Sequence, residues 1–540
     1  MSNMVLETLR QVVGRELSDH RIMEMDEQDA FPTDLIRKLL SPDVGLHLIF
    51  LPEDCGGLGG GARDICRISE EMAVWDLGVA TAFLAICLGT DPILVGGTPE
   101  QKQRWLTRIA SEGLIVAYGV TEPEAGSNVA SLKTTADPVV DAAGHLTGYR
   151  LNGAKQFITN GGVADLYTIL AKTPGGPSFF VLEKGTPGLS VGKKEDKHGI
   201  RASNTTGVLL DDVVVPADHL IGGVEGQGLK QANAVFGYTR LMVGAFGLGG
   251  GQAPLRRALA YGKTRHQFGA PLVEKEGYLL KLIVEPWIDL AAGRAYMEQT
   301  ALRIDEGGTD MGTEGSIAKY WSTEAGNRAA DASIQALGGY GYAREYMVEK
   351  MRRDVRITTI YEGTNEIQQS IISMFRWKET VRSKGAFYEL LACAVDELDD
   401  VDAGASLVAS SIRALNETVQ RMHQAKLTRS QMVMFTFADM MTAAEVAAAF
   451  VAKAVRGTPD DGLPADMTLA MSRAFARKVA RIVRQGAELC AGCLLADLQD
   501  GSAEAGAELL RTVEKLLPPS ETAGLWDEMN RVGAALKALD

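Results

Sequence analysis

Tyr118-Gly-Val-Thr-Glu-Pro-Glu-Ala-Gly-Ser-Asn128 is where the chain changes character. Before it, residues 1–117 read as helical. Ile68–Leu84 is apolar at three- and four-residue spacing, and Thr98-Pro-Glu-Gln-Lys opens a helix with proline in its first turn. After it, to about residue 225, short β-rich segments alternate with turns. Tyr149–Leu151, Leu166–Leu170, Phe179–Leu182, Val208–Leu210 and Val213–Val215 read as strands. Asn152-Gly153, Asn160-Gly161-Gly162 and Gly175-Gly176-Pro177 punctuate them. This pattern predicts a small antiparallel β domain or barrel set between helical parts. The quoted stretch itself is a strand end running into a Gly/Ser turn. Such a turn exposes backbone N–H groups and the hydroxyls of Thr121 and Ser127, which suit a polar heteroaromatic ring or a phosphate. On residue chemistry alone, a plain strand-to-loop turn is the favoured reading.

Helical patterning returns over 226–380, with Ala253–Lys263 and Val284–Arg303 as good helix formers. Residues 385–540 are helical again and rich in Ala, Met and Leu, divided by Gly457-Thr-Pro-Asp-Asp-Gly-Leu-Pro464. The expected domains are therefore 1–117 (N-terminal α), 118–225 (middle β), 226–380 (α) and 385–540 (an extra helical domain). Four domains suit 540 residues at roughly 100–200 residues each. A hydrophobic share of 46% with 23% charged residues is the ordinary globular mixture and excludes a disordered, collagen-like or coiled-coil chain. The excess of 69 acidic over 55 basic residues gives a net charge of −14, which repels nucleic acid and anionic membranes in bulk. Six scattered cysteines make no disulfide framework and point to a reducing compartment. The first twenty residues carry charges throughout and no apolar core, and the uncharged stretches Leu77–Thr90 and Leu241–Leu255 are short for a bilayer. The expectation is a soluble, cytoplasmic protein without nucleic-acid partners.

Five further patterns bear on chemistry. Leu46–Leu51 reads as a short strand, and Gly57-Leu-Gly-Gly-Gly-Ala62 after it fits a dinucleotide fingerprint. The acidic residues downstream, Glu70 and Glu71, fall inside a helical pattern rather than closing a strand, so a glycine turn is the better reading. Gln335-Ala-Leu-Gly-Gly-Tyr-Gly341 holds three glycines where a helix cap explains one, which allows close backbone approach to a ligand. Ile360-Tyr-Glu362-Gly-Thr-Asn-Glu-Ile-Gln368 sets a carboxylate between an apolar stretch and a glycine. Burial in apolar surroundings raises a carboxyl pKa and makes it a useful base near neutrality; a helix-terminal glutamate is the bland alternative. Arg473, Arg477, Arg481 and Arg484 share a helical face, read as solvated rather than as a lipid or partner stripe. Cys490-Ala-Gly-Cys493 is a lone pair, read as two packed cysteines, and no metal-ligand pattern is expected.

Taken together, these segments resemble the acyl-CoA dehydrogenase family of flavoproteins over about residues 5–378. The resemblance runs through Pro52-Glu-Asp-Cys-Gly-Gly-Leu-Gly59, the Tyr118 segment, Asn152-Gly-Ala-Lys-Gln-Phe-Ile-Thr-Asn-Gly-Gly162 and Gly199-Ile-Arg-Ala-Ser-Asn-Thr205. It continues through Tyr238-Thr-Arg240, Lys263-Thr-Arg-His-Gln-Phe-Gly269 and the two C-terminal motifs. The wording of the Gly199 motif and the helical tail resemble the very-long-chain branch. The resemblance implies a mainly α fold: an N-terminal α domain, a β-barrel-like middle domain, a four-helix α domain and, here, extra C-terminal helices. It implies FAD and the α,β-dehydrogenation of an acyl-CoA thioester, with Glu362 as the base that takes the α-proton and the β-hydride going to flavin N5. Other branches place the base at the position of Thr239, where threonine cannot act as one.

Carried over by position, Tyr118, Val120, Thr121, Gly126, Ser127, Phe157 and Thr159 would contact the flavin and ribityl chain. Arg265, Gln267, Phe268, Gln335, Gly338 and Gly339 would reach a neighbouring subunit's FAD, and Thr364 and Glu366 its pyrophosphate end. Ser127, Ser203, Tyr238, Arg240 and Gly363 match the CoA-thioester positions. Asn128, Phe157 and Gly237 depart from the usual Asp, Trp and acidic residue. The resemblance implies electron-transfer flavoprotein as partner and a homo-oligomer, a dimer rather than the usual tetramer because of the tail, with membrane association not favoured. An acyl-CoA oxidase using O₂ and a non-catalytic scaffold of the same fold are the rival functions. Small residues at Ala80, Ala82, Ala85 and Gly89 suggest room for a long or bulky acyl chain.

Overall fold

The computed structural model describes residues 2–458, 462–496, 502–519 and 523–539, with the side chains at 2, 3 and 236–238 outside that description. The chain forms two compact units. One comprises Met1–Gly249, Ile304–Gly307 and Arg353–Ile357; the other comprises Gly250–Arg303, Gly308–Arg352 and Thr358–Asp540.

The first unit opens with six helices: α1 (Ser2–Glu16), α2 (Asp19–Gln28), α3 (Thr33–Leu40), α4 (Ala62–Trp75), α5 (Leu77–Gly96) and α6 (Pro99–Glu112). The Thr98 signal is a full capping box: its hydroxyl accepts from the Gln101 amide while the Gln101 side chain accepts from the Thr98 amide. The apolar run Ile68–Leu84 is two helices, because Asp76 leaves helical geometry and caps α5 through Val79 N–H. Leu46–Leu51 is not a strand. Leu46–Phe50 is a 3₁₀ helix, and the glycine segment doubles back on it: the amides of Leu58, Gly59 and Gly60 donate to the carbonyls of Leu48, Leu51 and Ile49. Those glycines are spent on their own backbone.

A seven-stranded sheet follows: β1 (Val116–Gly119), β2 (Thr135–Val140), β3 (Leu146–Thr159), β4 (Leu166–Thr173), β5 (Gly176–Glu183), β6 (Leu189–Lys194) and β7 (Thr205–Pro216), ordered β1-β4-β2-β3-β7-β6, with β5 on β4. It is mixed rather than purely antiparallel, since β1 runs parallel to β4. The buried strand β4 takes that pairing, as strands covered on both faces do. Helix α5 lies on β1. A Cβ at Gly89 would stand 3.0 Å from the Val116 carbonyl carbon, and the Gly89 carbonyl accepts from Thr168 Oγ1 at 2.8 Å. The small side chain there is used for helix–sheet contact, not for acyl-chain room. Ala80 and Ala82 are likewise buried.

The long α7 (Gly228–Thr264) is followed by a hairpin of β8 (His266–Gln267) and β9 (Ala270–Pro271), and then α8 (Glu276–Leu279), α9 (Glu285–Asp305), α10 (Gly312–Leu337), α11 (Gly339–Tyr342), α12 (Met347–Val355) and α13 (Asn365–Arg382). The tail adds α14 (Ala386–Asp396), α15 (Ala405–Gln424), α16 (Gln431–Val455), α17 (Ala465–Ala496), α18 (Ser502–Leu516) and α19 (Leu525–Ala538). The architecture is thus mainly α with a β middle domain. By length and composition α5 and α16 are apolar enough to cross a membrane, longer than the uncharged stretches suggest, yet their apolar windows are 83% and 78% buried within the protein. The arginine stripe is solvated only in part. Arg481 is exposed and Arg484 half-exposed, but Arg473 is buried in a two-pronged pair with Glu528 of α19 (2.7 and 2.9 Å), and Arg477 donates to the Ala523 carbonyl just ahead of that helix. Cys490 is buried, and burial pushes its thiol up to about 12; Cys493 is exposed, so only one of the two is packed.

In the second unit one buried ionic cluster ties α13 to the tail. Arg376 forks onto Glu445 (Nε–Oε1 2.8 Å, Nη2–Oε2 2.9 Å) and reaches Glu314 at 3.0 Å. The Tyr388 and Tyr296 hydroxyls donate to the same Glu445 at 3.2 and 3.3 Å. Four donors on a buried carboxylate satisfy it, and removing one costs what a charged hydrogen bond is worth. Tyr388→Phe is expected to lower stability by about 1.5–3 kcal/mol, read as a shifted urea midpoint with an unchanged slope.

Candidate active site

The Tyr118 segment and β3 are built into one another. The sheet register slips between Lys155 and Ile158: three steps along β3 match two along β7, from Val208 to Thr206. That is a β-bulge, and it re-aims what it carries. Phe157 sits in it with φ 58°, a left-handed backbone rare for a bulky residue, and its ring is 63% exposed. The bulge frees the Gln156 amide, which donates to the Thr121 carbonyl at 2.9 Å.

Below it lies a buried ion pair that the sequence reading left unassigned. Lys155, 1% exposed, donates to Glu122 Oε1 at 2.6 Å and to the Val120 carbonyl at 3.3 Å. Glu122 also accepts from the amides of Lys133 (2.6 Å) and Thr134 (3.1 Å). Burial lowers the Lys155 ammonium to about 8, against the pull of Glu122. Burial pushes the Glu122 carboxyl up, but the Lys133 amide, Lys155 and Thr134 outweigh it and hold it below the usual carboxylate range. Both are therefore charged at neutral pH. Lys155 and the Gln156 amide join Val120 and Thr121 to β3, the strand that also carries Phe157 and Thr159, and Gly126 and Ser127 are exposed on the same loop as Thr121. A Cβ at Gly126 would meet nothing within 4 Å. Tyr118 stacks on Phe179, ring centroids 5.7 Å apart.

Ser203 is fully buried, with no hydrogen-bond partner for its Oγ among the described residues, and its carbonyl accepts from Lys197 at 2.8 Å. Arg240 is half-buried on α7; the side chain of Tyr238 lies outside the described residues. In the second unit, Phe268 and Gly269 turn the β8–β9 hairpin with φ 51° and 79°, and the Phe268 ring is 95% exposed at the tip, flanked by exposed Arg265 and Gln267. Gln335 is exposed near the end of α10, and added Cβ atoms at Gly338 and Gly339 meet nothing within 4 Å.

Glu362 is half-buried on the loop before α13, with φ 55°, and Gly363 follows with φ 84°. The Thr364 hydroxyl caps α13 by accepting from Ile367 N–H, and Glu366 is exposed in the first helical turn. Gln368 Nε2 donates to the carbonyls of Glu362 (3.3 Å) and Gly363 (2.9 Å). Lys319 Nζ donates to the Gly363 carbonyl and to Asn365 Oδ1, both at 2.8 Å. Gln368 and Lys319, with Glu122 and Lys155, are the residues sequence reasoning missed. The available signal was a charged residue at a core-facing register, Lys155 in line with buried Leu151 on β3 and Lys319 in line with buried Ser316 and Thr323 on α10.

Three family profiles match the chain: the acyl-CoA dehydrogenase N-terminal domain over residues 2–113, the middle domain over 117–213 and the C-terminal domain over 226–375. An acyl-CoA dehydrogenase of Bacillus subtilis is 39% identical over 363 residues, 65% of this chain and 91% of its own length. Butyryl-CoA dehydrogenase of Megasphaera elsdenii aligns in structure with TM-score 0.64 at 34% identity, covering 69% of this chain and 96% of its own. An acyl-CoA dehydrogenase from Bacillus anthracis, solved with FAD, aligns with TM-score 0.86 at 24% identity over 99% of this chain and 94% of its own, so the tail helices belong to a fold seen before. The chain belongs to the acyl-CoA dehydrogenase family of oxidoreductases.

Proposed function

We propose that this chain is an FAD-dependent enzyme that oxidises an acyl-CoA thioester to its trans-2-enoyl-CoA, with Glu362 as the base. The observation that carries the reading is the held backbone at Glu362 and Gly363. Glu362 sits in a backbone conformation that costs about 1–2 kcal/mol, and buried side chains fix the carbonyls on both sides of Gly363. Strain of this kind persists only where the surroundings over-determine it, and it clusters at functional sites.

The residues present fit FAD. An exposed aromatic ring on a bulge, beside a loop where Gly126 leaves open space, suits a planar ring system, and the open backbone at Gly338 and Gly339 suits a phosphate chain. Val120, Thr121, Gly126, Ser127, Phe157 and Thr159 would hold the flavin and ribityl end, with Tyr118 beneath. Arg265, Gln267, Phe268, Gln335, Gly338, Gly339, Thr364 and Glu366 would hold the adenine and pyrophosphate end, in a neighbouring subunit where the family pattern applies. When bound, FAD supplies the two-electron acceptor for the hydrogen lost from the β-carbon.

The protein's own part is positioning and proton transfer. Glu362 accepts the α-proton, and the C–H bonding pair passes into the forming double bond as the β-hydrogen leaves. The Glu362 N–H donates to the thioester oxygen, which stabilises the enolate that develops and so acidifies the α-carbon. By the family pattern Ser127, Ser203, Tyr238 and Arg240 in the first unit and Gly363 in the second match the CoA-thioester positions, Arg240 as the partner for a phosphate or pantetheine oxygen. Electrons leave to an electron-transfer flavoprotein, in the cytoplasm, from a homodimer. Anaerobic mixing of FAD-loaded protein with a panel of straight, branched and dicarboxylic acyl-CoAs is expected to remove the oxidised-flavin absorbance with at least one of them. A fully loaded protein that no saturated acyl-CoA reduces would overturn the reading.

A further inference from the structure

The strongest unassigned feature near the chemistry is the lysine beneath the Glu362 loop. Lys319 is 0% exposed, an unusual place for an ammonium, since desolvating one costs several kcal/mol unless its donors are used. Its Nζ donates to the Gly363 carbonyl and to Asn365 Oδ1. Asn365, also buried, passes the network on, its Nδ2 donating to Glu324 Oε1 at 2.7 Å and to Thr323 Oγ1 at 3.2 Å. Gln368, fully buried on the first turn of α13, takes the Glu362 carbonyl and shares that of Gly363. Two consecutive carbonyls thus end on buried donors from two different helices.

This arrangement has a specific geometric consequence. A residue with positive φ points its Cα–Cβ bond differently from the same residue in an extended or right-handed chain. Glu362 and Gly363 both hold positive φ. If the 363 carbonyl were released, relaxation of φ at Glu362 to the favoured side would swing the carboxylate and turn the 362 N–H together. A Cβ at Gly363 would stand 2.7 Å from Gln368 Nε2, so the loop and its donors are fitted to one another closely.

Resting on the reading of Glu362 as the base, we infer that Lys319 is a positioning residue: it fixes the Glu362–Gly363 backbone so that one conformation aims both the carboxylate and the Glu362 amide. Lys319 does not touch substrate. Its effect is on the approach of the base to the α-carbon, a distance whose error of about 1 Å costs about 10²-fold in rate. A purely packing lysine would instead affect only how much protein folds.

Lys319→Met keeps the stem and removes the donor. In the FAD-loaded protein it is expected to lower kcat by about 10–10²-fold, with KM for the best acyl-CoA little changed. Hydrogen exchange at the amides of Gly363 to Gln368 should become faster, while the amides of β3 and β7 keep wild-type protection. Gln368→Met removes the second donor to the same carbonyl and should shift both readouts in the same direction; it also serves if Lys319→Met fails to fold. Glu362→Gln is run alongside. If Glu362→Gln retains turnover, the base assignment has failed. If Glu362→Gln is inactive while both donor variants keep wild-type kcat and wild-type exchange on the loop, the base stands and the positioning inference is overturned.

Discussion

Glu362→Gln is expected to cut the rate of flavin reduction by acyl-CoA by about 10²–10⁴-fold, the usual contribution of a positioned general base. Glutamine keeps the shape and the backbone but cannot accept the α-proton. Retention of FAD, the melting temperature and acyl-CoA binding should therefore stay close to wild type, because the carbonyls at 362 and 363 remain on Gln368 and Lys319. The alternative base position offers no substitute: Thr239 is fully buried and carries no carboxylate. The check is rapid mixing under anaerobic conditions, with substrate binding measured separately by the spectral perturbation of the oxidised flavin. A variant within tenfold of wild type would remove Glu362 from the mechanism; a variant that also lost FAD would point to a structural defect instead.

What could be read ahead of the structure divides along physical lines. Local signals held where a few residues decide the outcome: the Thr98 box needs only residues 98 and 101, and the strands of the middle domain are short β-rich runs marked off by their own turn residues. Leu46–Leu51 failed because a short apolar run is equally a strand or a buried 3₁₀ turn, and only the glycine segment folding back on its carbonyls decides between them. The parallel pairing of β1 with β4 rests on contacts some fifty residues apart, which no window reveals. Gly89 was legible as small but not as small for β1, since what fills the space of a missing side chain is a tertiary fact. Arg473 looked like surface because its carboxylate partner, Glu528, is supplied by another helix. The site itself was legible as motifs, through resemblance. Of the devices that hold it, Lys155 and Glu122 stand inside those motifs and Lys319 stands outside them on α10, each written as an ordinary charged residue. Their roles became visible only when burial removed water as the alternative partner.

Lys155→Met is expected to destabilise the first unit by about 3–5 kcal/mol, the cost of leaving one partner of a buried pair uncompensated. Glu122 would keep the Lys133 and Thr134 amides, which places the loss toward the lower end of that range. The pH dependence separates this mechanism from simple loss of packing. The Glu122 carboxyl is held below its ordinary value when folded, so the stability it contributes is fully present above the unfolded pKa of ~4.3 and is lost as pH falls through the lower folded value. Protonation also relieves the stranded charge in the variant, so the gap between wild type and Lys155→Met should close in acid. Lys155 is held at about 8 when folded against ~10.4 unfolded. Between those values the unfolded chain binds more protons, so wild-type stability gains from this group as pH rises, a gain methionine cannot have. The gap should therefore widen from pH ~8 toward ~10.4. Because Lys155 also holds the Val120 carbonyl, the variant should release the 120–127 loop from β3 and lose FAD more readily at neutral pH. Denaturant midpoints across acid, neutral and alkaline buffers, with flavin content measured in parallel, provide the test. A gap that is flat in pH would mean that Lys155 serves β3 by its volume and that Glu122 is neutral in the fold, which the short contacts from three donors speak against.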